Sequence, residues 1–250
     1  MLAIIYADAD IASAYIIASN KEWHRTSFET LKEEYEGDWY WVSTPGELLE
    51  AVREIESPRY IFFLHWSHHV PESVWAQHEC VCFHMTDLPY GRGGSPLQNL
   101  ILRGHQETVI TAFRMVEAMD AGPVYAKRGL SLSGTAEQIY RRAGELSTDI
   151  IQSMIAEQPE PVDQTGEVVM FKRRTPEESE IPDGASPEIL YDFIRMLDAD
   201  GYPHAFSRSG QYILRYTDAE LHEGELKASV VISLTGSERS TSEVKQREKP

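Results

Sequence analysis

The stretch from Cys80 to Gln98, Cys-Val-Cys-Phe-His-Met-Thr-Asp-Leu-Pro-Tyr-Gly-Arg-Gly-Gly-Ser-Pro-Leu-Gln, constrains this chain more than any other. Its first half reads as a buried strand. Its second half carries Pro89, Gly91, Gly93, Gly94 and Pro96, which break helices and ladders, so it is predicted to be a loop without regular structure. His84 therefore sits where a strand spills into a Gly-rich loop. In open α/β sheets, ligands bind in the crevice outside the carboxyl ends of the strands. A second feature of the same kind is Met119-Asp120-Ala121-Gly122-Pro123, a tight turn that carries one acid between two apolar strands.

The rest of the chain alternates in the same way. Leu2 to Ala7 predicts a first buried strand, with Asp8 or Asp10 capping a helix from Ile11 to Ser19. A short helix is expected at Ser27–Tyr35 and a strand at Trp39–Val42. Thr44-Pro45-Gly46-Glu47 is a capping box with Pro at the first helical position, and its helix runs to about Glu56. Tyr60 to His65 is an apolar strand that ends in Trp66-Ser67-His68-His69-Val70-Pro71. Ser95 is expected to cap a helix opened by Pro96. Strands follow at Thr108–Met115 and Val124–Leu132, then a long amphipathic helix from Thr135 to Gln158. Residues 162–185 read as an extended crossing segment. A helix opened by Ser186-Pro187 and three strand-like pieces make a small C-terminal appendage. The expected class is α/β: a Rossmann-like, mostly parallel sheet with helices on both faces, plus a small C-terminal α+β part. The expected division is a catalytic domain over 1–170, a subdomain over 171–235 and a flexible tail over 236–250.

Charge narrows the function. The chain has 250 residues, 40 acidic against 23 basic, with a net charge of −17. Affinity for nucleic acid is driven largely by Lys and Arg neutralising phosphates, so this balance speaks against a nucleic-acid partner. No apolar run approaches the length of a membrane span, so no membrane partner is expected. Two cysteines make no disulfide framework, and a cytoplasmic, reducing compartment fits them.

The histidine, the Gly-rich loop and the acid turn together resemble the folate-dependent formyltransferases, whose pattern is Asn-x-His, then Leu-Pro-x-x-Arg-Gly, then Leu-Asp-x-Gly. The matches here are His84, Leu88-Pro89, Arg92-Gly93 and Asp120-x-Gly122. Cys82 stands where the family has Asn. The resemblance covers roughly residues 1–170, and the appended part is closest to sugar-modifying members. It implies 10-formyltetrahydrofolate as cosubstrate; no metal is expected, on the spacing of the His and Cys residues along the strand. It also implies His84 as the group that moves a proton or steadies an oxyanion, Asp120 as the carboxylate that holds its imidazole, and position 82 as an oxyanion donor. The Trp66–Pro71 loop would receive the folate. Trp66 and Val70 would form an apolar wall, backbone groups of the loop, at Ser67 and His68 among others, would offer the hydrogen bonds, and Met115 to Asp120, with Met119, would complete the pocket. The amine substrate would meet Asp8, Thr86, Arg92, Gly93, Gly94 and Ser95, with Arg92 as a fork of donors for a phosphate.

Several readings stay open at this level. A thiol is a weak donor. Cys82 is therefore compatible with a compensating donor, with altered geometry, or with a homologue that only binds folate or a nucleotide sugar. His78, Cys80, Cys82 and His84 share one face of a strand, but they span ~20 Å, too far for one metal ion. Lys172-Arg173-Arg174 reads as a solvated surface run. The leading expectation is transfer of a formyl group to the amine of a nucleotide-linked amino sugar, a small-molecule substrate, with the appendage as a candidate homodimer surface. Formylation of methionyl-tRNA is the alternative.

Overall fold

The computed structural model describes residues 13–236. Its centre is a six-stranded sheet in the order β2-β1-β3-β4-β6-β7. These strands are β1 (Ala14–Ala18), β2 (Asp38–Val42), β3 (Pro58–Phe63), β4 (Cys80–His84), β6 (Glu107–Arg114) and β7 (Val124–Ser131). The pairs of β1 with β2, β1 with β3 and β3 with β4 are parallel. The pairs of β4 with β6 and β6 with β7 are antiparallel. His84, the last residue of β4, lies where the parallel half meets the antiparallel half.

The central strands β1 and β3 read as apolar runs because both faces of the sheet are covered there. In β1, Tyr15 and Ile17 enter one core while Ile16 and Ala18 enter the other. In β3, Tyr60 and Phe62 point one way while Ile61 and Phe63 point the other. This two-residue period is the strand's own geometry. The first face packs on α1 (His24–Glu34) and on the long helix α5 (Ala136–Glu157). The second packs on α2 (Pro45–Glu54) and the short α3 (Glu72–Trp75). Thr135 caps α5 with a reciprocal box: its hydroxyl accepts from the Gln138 N–H, and the Gln138 side chain accepts from the Thr135 N–H. At α2, the Thr44 hydroxyl accepts from the Glu47 N–H, but the Glu47 carboxylate reaches one residue further back, to Ser43.

After α5 the chain forms the short strand β8 (Val169–Phe171), then α6 (Pro187–Arg195) and an antiparallel sheet of β9 (Ala205–Ser209), β10 (Tyr212–His222) and β11 (Glu225–Leu234). Phe193, Ile194, Met196 and Leu197 belong to the same buried cluster as the α5 face of the main sheet. Arg195 is only 3% exposed. Its guanidinium donates to the carbonyls of Leu132 (2.6 Å) and Gly134 (3.0 Å), tying α6 to the end of β7.

Two expectations fail, and a third is untested. The predicted helix Ile11–Ser19 is the strand β1 over Ala14–Ala18, because a short apolar run fits either element and the paired β-branched Ile16-Ile17 favours the strand. The strand predicted over Leu2–Ala7, and the cap at Asp8 or Asp10, lie outside the described residues. The loop after His84 is partly regular: β5 (Tyr90–Gly93) forms a parallel pair with β8. A partner far along the chain supplies a ladder that the local glycines and prolines do not advertise. Gly93 permits it, since at φ +107° a Cβ there would lie 2.4 Å from the Phe171 carbonyl oxygen.

Candidate active site

Three sheet strands and their following loops meet at one cavity of about 930 Å³. His84 and Cys82 reach it from β4. The loop after β3 brings Trp66, Ser67, His68 and Val70, and the segment after β6 brings Met115, Met119 and Asp120. Gly93, Gly94 and Ser95 enter from the end of β5. These are the residues that the sequence assigned to catalysis, to the folate and, in part, to the amine.

The hydrogen bonds of His84 define its chemistry. Its Nε2 lies 2.8 Å from the Gly91 carbonyl oxygen. A carbonyl only accepts, so Nε2 carries the hydrogen and the neutral ring keeps its lone pair on Nδ1. Nδ1 faces the Asp120 carboxylate at 3.9 Å. Asp120 sits at φ +52°, a left-handed conformation that Asp and Asn tolerate better than most residues. Its Oδ2 accepts the Gly93 N–H at 2.8 Å. The outcome is an imidazole with one basic nitrogen, placed beside a carboxylate that is itself held. Proton uptake at Nδ1 would create an imidazolium facing that carboxylate.

Cys82 is half-buried beside them. Burial first, then the charges of Asp120 and Cys80, push its thiol well above its usual range. It stands at the site as a neutral S–H group, a weak donor and not a nucleophilic thiolate.

The cavity has two unlike ends. At one, Trp66, Val70, Trp75, Met115 and Phe63 form an apolar wall. The indole Nε1 of Trp66 is buried there without a partner among the described residues. At the other end, Arg173, Arg174, Thr175 and Ser179 meet Tyr140, Tyr202 and His65. Tyr140 is stacked between Tyr202 and Trp23, with ring centroids at 5.0 and 6.2 Å. His65 is 2.8 Å from His24, Nδ1 to Nε2. Burial, with smaller contributions from neighbouring charge, holds His65 down to about 4 and His24 to about 2, so both are neutral.

Some assignments do not reach the cavity. Thr86 is fully buried, with its hydroxyl directed to the Gly91 carbonyl and its own carbonyl accepting from Thr111 at 2.6 Å, so it supports the His84 loop from behind. Arg92 turns away and places Nε and Nη2 on Gln164 Oε1, at 3.1 and 2.7 Å. Ser95 does line the cavity, but it does not cap α4 (Pro96–Leu102) with its side chain; it adopts φ +49°, and its hydroxyl accepts the Arg174 N–H at 3.0 Å. Asp8 lies outside the described residues. Conversely, Arg173 and Arg174 line the cavity, although the basic run reads as ordinary surface. Tyr140 and Gln98 were missed because each lies on the apolar side of a helix, where a functional side chain and a core side chain share one pattern. His65 carried a legible signal: like His84, it stands at the end of a parallel strand.

Comparison with known proteins places this geometry in a family. A methionyl-tRNA formyltransferase from Clostridium thermocellum is 41% identical, with a TM-score of 0.86 over 89% of this chain and 100% of that one. The profile of the methionyl-tRNA formyltransferase C-terminal domain matches residues 176–233. A methionyl-tRNA formyltransferase from Sulfurovum sp. is 26% identical over 167 residues, or 64% of this chain. That match spans 53% of the curated relative's length. A 4-N formyltransferase from Francisella tularensis shares the fold at 13% identity, with a TM-score of 0.63 over 89% of this chain and 98% of that one. The chain belongs to the methionyl-tRNA formyltransferase-like family of formyltransferases.

Proposed function

We propose that the protein is a folate-dependent N-formyltransferase that moves the formyl group of 10-formyltetrahydrofolate to a primary amine. The observation that carries this reading is the His84–Asp120 pair, with its single basic nitrogen, on a cavity lined by both apolar and charged side chains. A volume of about 930 Å³ suits two substrates side by side. The Trp66–Val70–Met115 wall has the shape and chemistry for a flat pterin ring, and the unpartnered Trp66 indole N–H offers it a donor. The folate supplies the activated formyl group.

In this reading, His84 Nδ1 takes the proton that the attacking amine sheds and hands it to the departing folate nitrogen. Asp120 stabilises the imidazolium between those two events. General acid–base help of this kind is worth ~10²–10⁴-fold. Cys82 lies where a donor would meet the developing oxyanion, and its S–H gives less than an amide would.

Two acceptors compete. The names of the relatives favour methionyl-tRNA. The net charge of −17 favours a smaller acceptor, such as a nucleotide-linked amino sugar, because a long phosphate backbone is repelled by such a surface. Arg173 and Arg174 at the polar end suit a local phosphate in either case. Loss of 10-formyltetrahydrofolate, followed with methionyl-tRNA and with nucleoside-diphosphate 4-amino sugars, separates them. Product heavier by one formyl group is expected with one class. Folate binding without turnover on either would leave a binding protein.

A further inference from the structure

Gln164 lies in the segment between α5 and β8, outside the cavity lining and without any local motif to mark it. Its side-chain amide nevertheless uses all of its hydrogen-bonding capacity on the site. Nε2 donates to the carbonyl of Asp120 at 2.9 Å and to that of Gly122 at 2.8 Å. Oε1 accepts both Nε and Nη2 of Arg92, at 3.1 and 2.7 Å. The orientation of the amide is unambiguous, since a guanidinium only donates and two carbonyls only accept. Arg92 is in β5, next to Gly93, whose N–H holds the Asp120 carboxylate. One side chain thus locks the backbone of the acid turn to the strand that fixes its carboxylate. The lock acts on a residue in a left-handed conformation, in a turn where Gly122 packs so tightly that a Cβ would lie 1.8 Å from the Arg114 carbonyl oxygen.

We propose that Gln164 is a positioning residue that sets the Asp120 carboxylate against His84 Nδ1. The proposal rests on the formyl-transfer reading of that pair. A misplacement near 1 Å at a reacting centre can cost ~10²-fold in rate. The test compares Gln164→Met, Gln164→Glu and Asp120→Asn in full-length protein, with the acceptor that turns over. Gln164→Met removes both halves of the lock. Gln164→Glu keeps the acceptor for Arg92 but sets an oxygen against two carbonyls. Both are expected to lower kcat by about ten- to a hundredfold, with the KM for 10-formyltetrahydrofolate within about twofold. If Gln164→Met does not fold, Gln164→Glu decides. Wild-type kcat in the folded Gln164 variants, with Asp120→Asn collapsed, overturns the role of Gln164 alone. A lowered melting temperature with unchanged kcat does the same, since it describes a purely structural residue. Wild-type turnover in Asp120→Asn overturns instead the reading of the site.

Discussion

The cavity wall that carries Trp66, Val70 and Met115 grows from the ends of β3 and β6, whereas the wall with Arg173, Arg174 and Tyr202 comes from the chain after β7. The first is apolar and packed into the sheet's own core, with Val70 at 5% exposure. The second is charged and open, with Arg173 exposed and Arg174 half-buried. In the proposed function, His84 and Asp120 act between them. A sheet end offers a rigid, dry surface for a substrate part that never changes. An appended segment can vary in charge and shape without disturbing the strands, which suits it to selecting the acceptor. In the proposed function, chemistry and specificity are thus carried by different parts of the chain.

The largest expected effect falls on the seam. Asp120→Asn keeps the left-handed backbone and the shape but loses the charge. Its kcat should fall ~10²–10⁴-fold, with both KM values little changed in steady-state assays. A large rise in either KM would mean that Asp120 belongs to one wall and not to the seam.

Next come changes that act on one wall each. Trp66→Ala should raise the KM for 10-formyltetrahydrofolate roughly ten- to a hundredfold and leave the acceptor's unchanged, as burial of a large apolar side chain is worth ~1.5–3 kcal/mol. Arg173→Ala with Arg174→Ala should do the reverse, since hydrogen bonds to charged groups are worth ~1.5–3 kcal/mol. Crossed effects would dissolve the division between the walls.

A smaller effect concerns stability behind the polar wall. His24 and His65 are held neutral well below the ordinary histidine value of 6.5. The unfolded chain binds these protons first, so stability is complete above that value and is lost as pH falls towards about 4. Each group contributes on the order of 1.4 kcal/mol per pH unit in that window. Melting temperatures measured between pH 7 and 5 should fall, and His65→Asn, which suits φ +49°, should flatten the fall. An unchanged slope would mean that the pair is not buried neutral.

The smallest effect is expected at Cys82→Asn. An amide is a better oxyanion donor than a thiol, so kcat should hold or rise by up to about tenfold. A lower melting temperature with no gain in rate would assign Cys82 to packing.

Much of the site was legible because it is built from strand ends that occur in sequence order. His84, the turn at Asp120 and the loop at Trp66 each follow an apolar run directly. The strand β1 was misread because Ala14–Ala18 is too short to show a period. Contacts made across the chain were invisible. Nothing near Arg92 announces Gln164, nothing near Tyr90 announces β8, and a run such as Lys172-Arg173-Arg174 looks the same whether solvent or a cavity lies beside it. Local pattern reports which face is apolar, and it is silent on which distant residue completes a hydrogen bond.

The most direct measurement is single-turnover formyl transfer by wild-type protein and His84→Asn, each saturated with 10-formyltetrahydrofolate, using the acceptor class that reacts. We predict a rate at least ~10²-fold lower in His84→Asn with folate affinity unchanged. Equal rates would contradict the assignment of His84 Nδ1 as the base of the reaction.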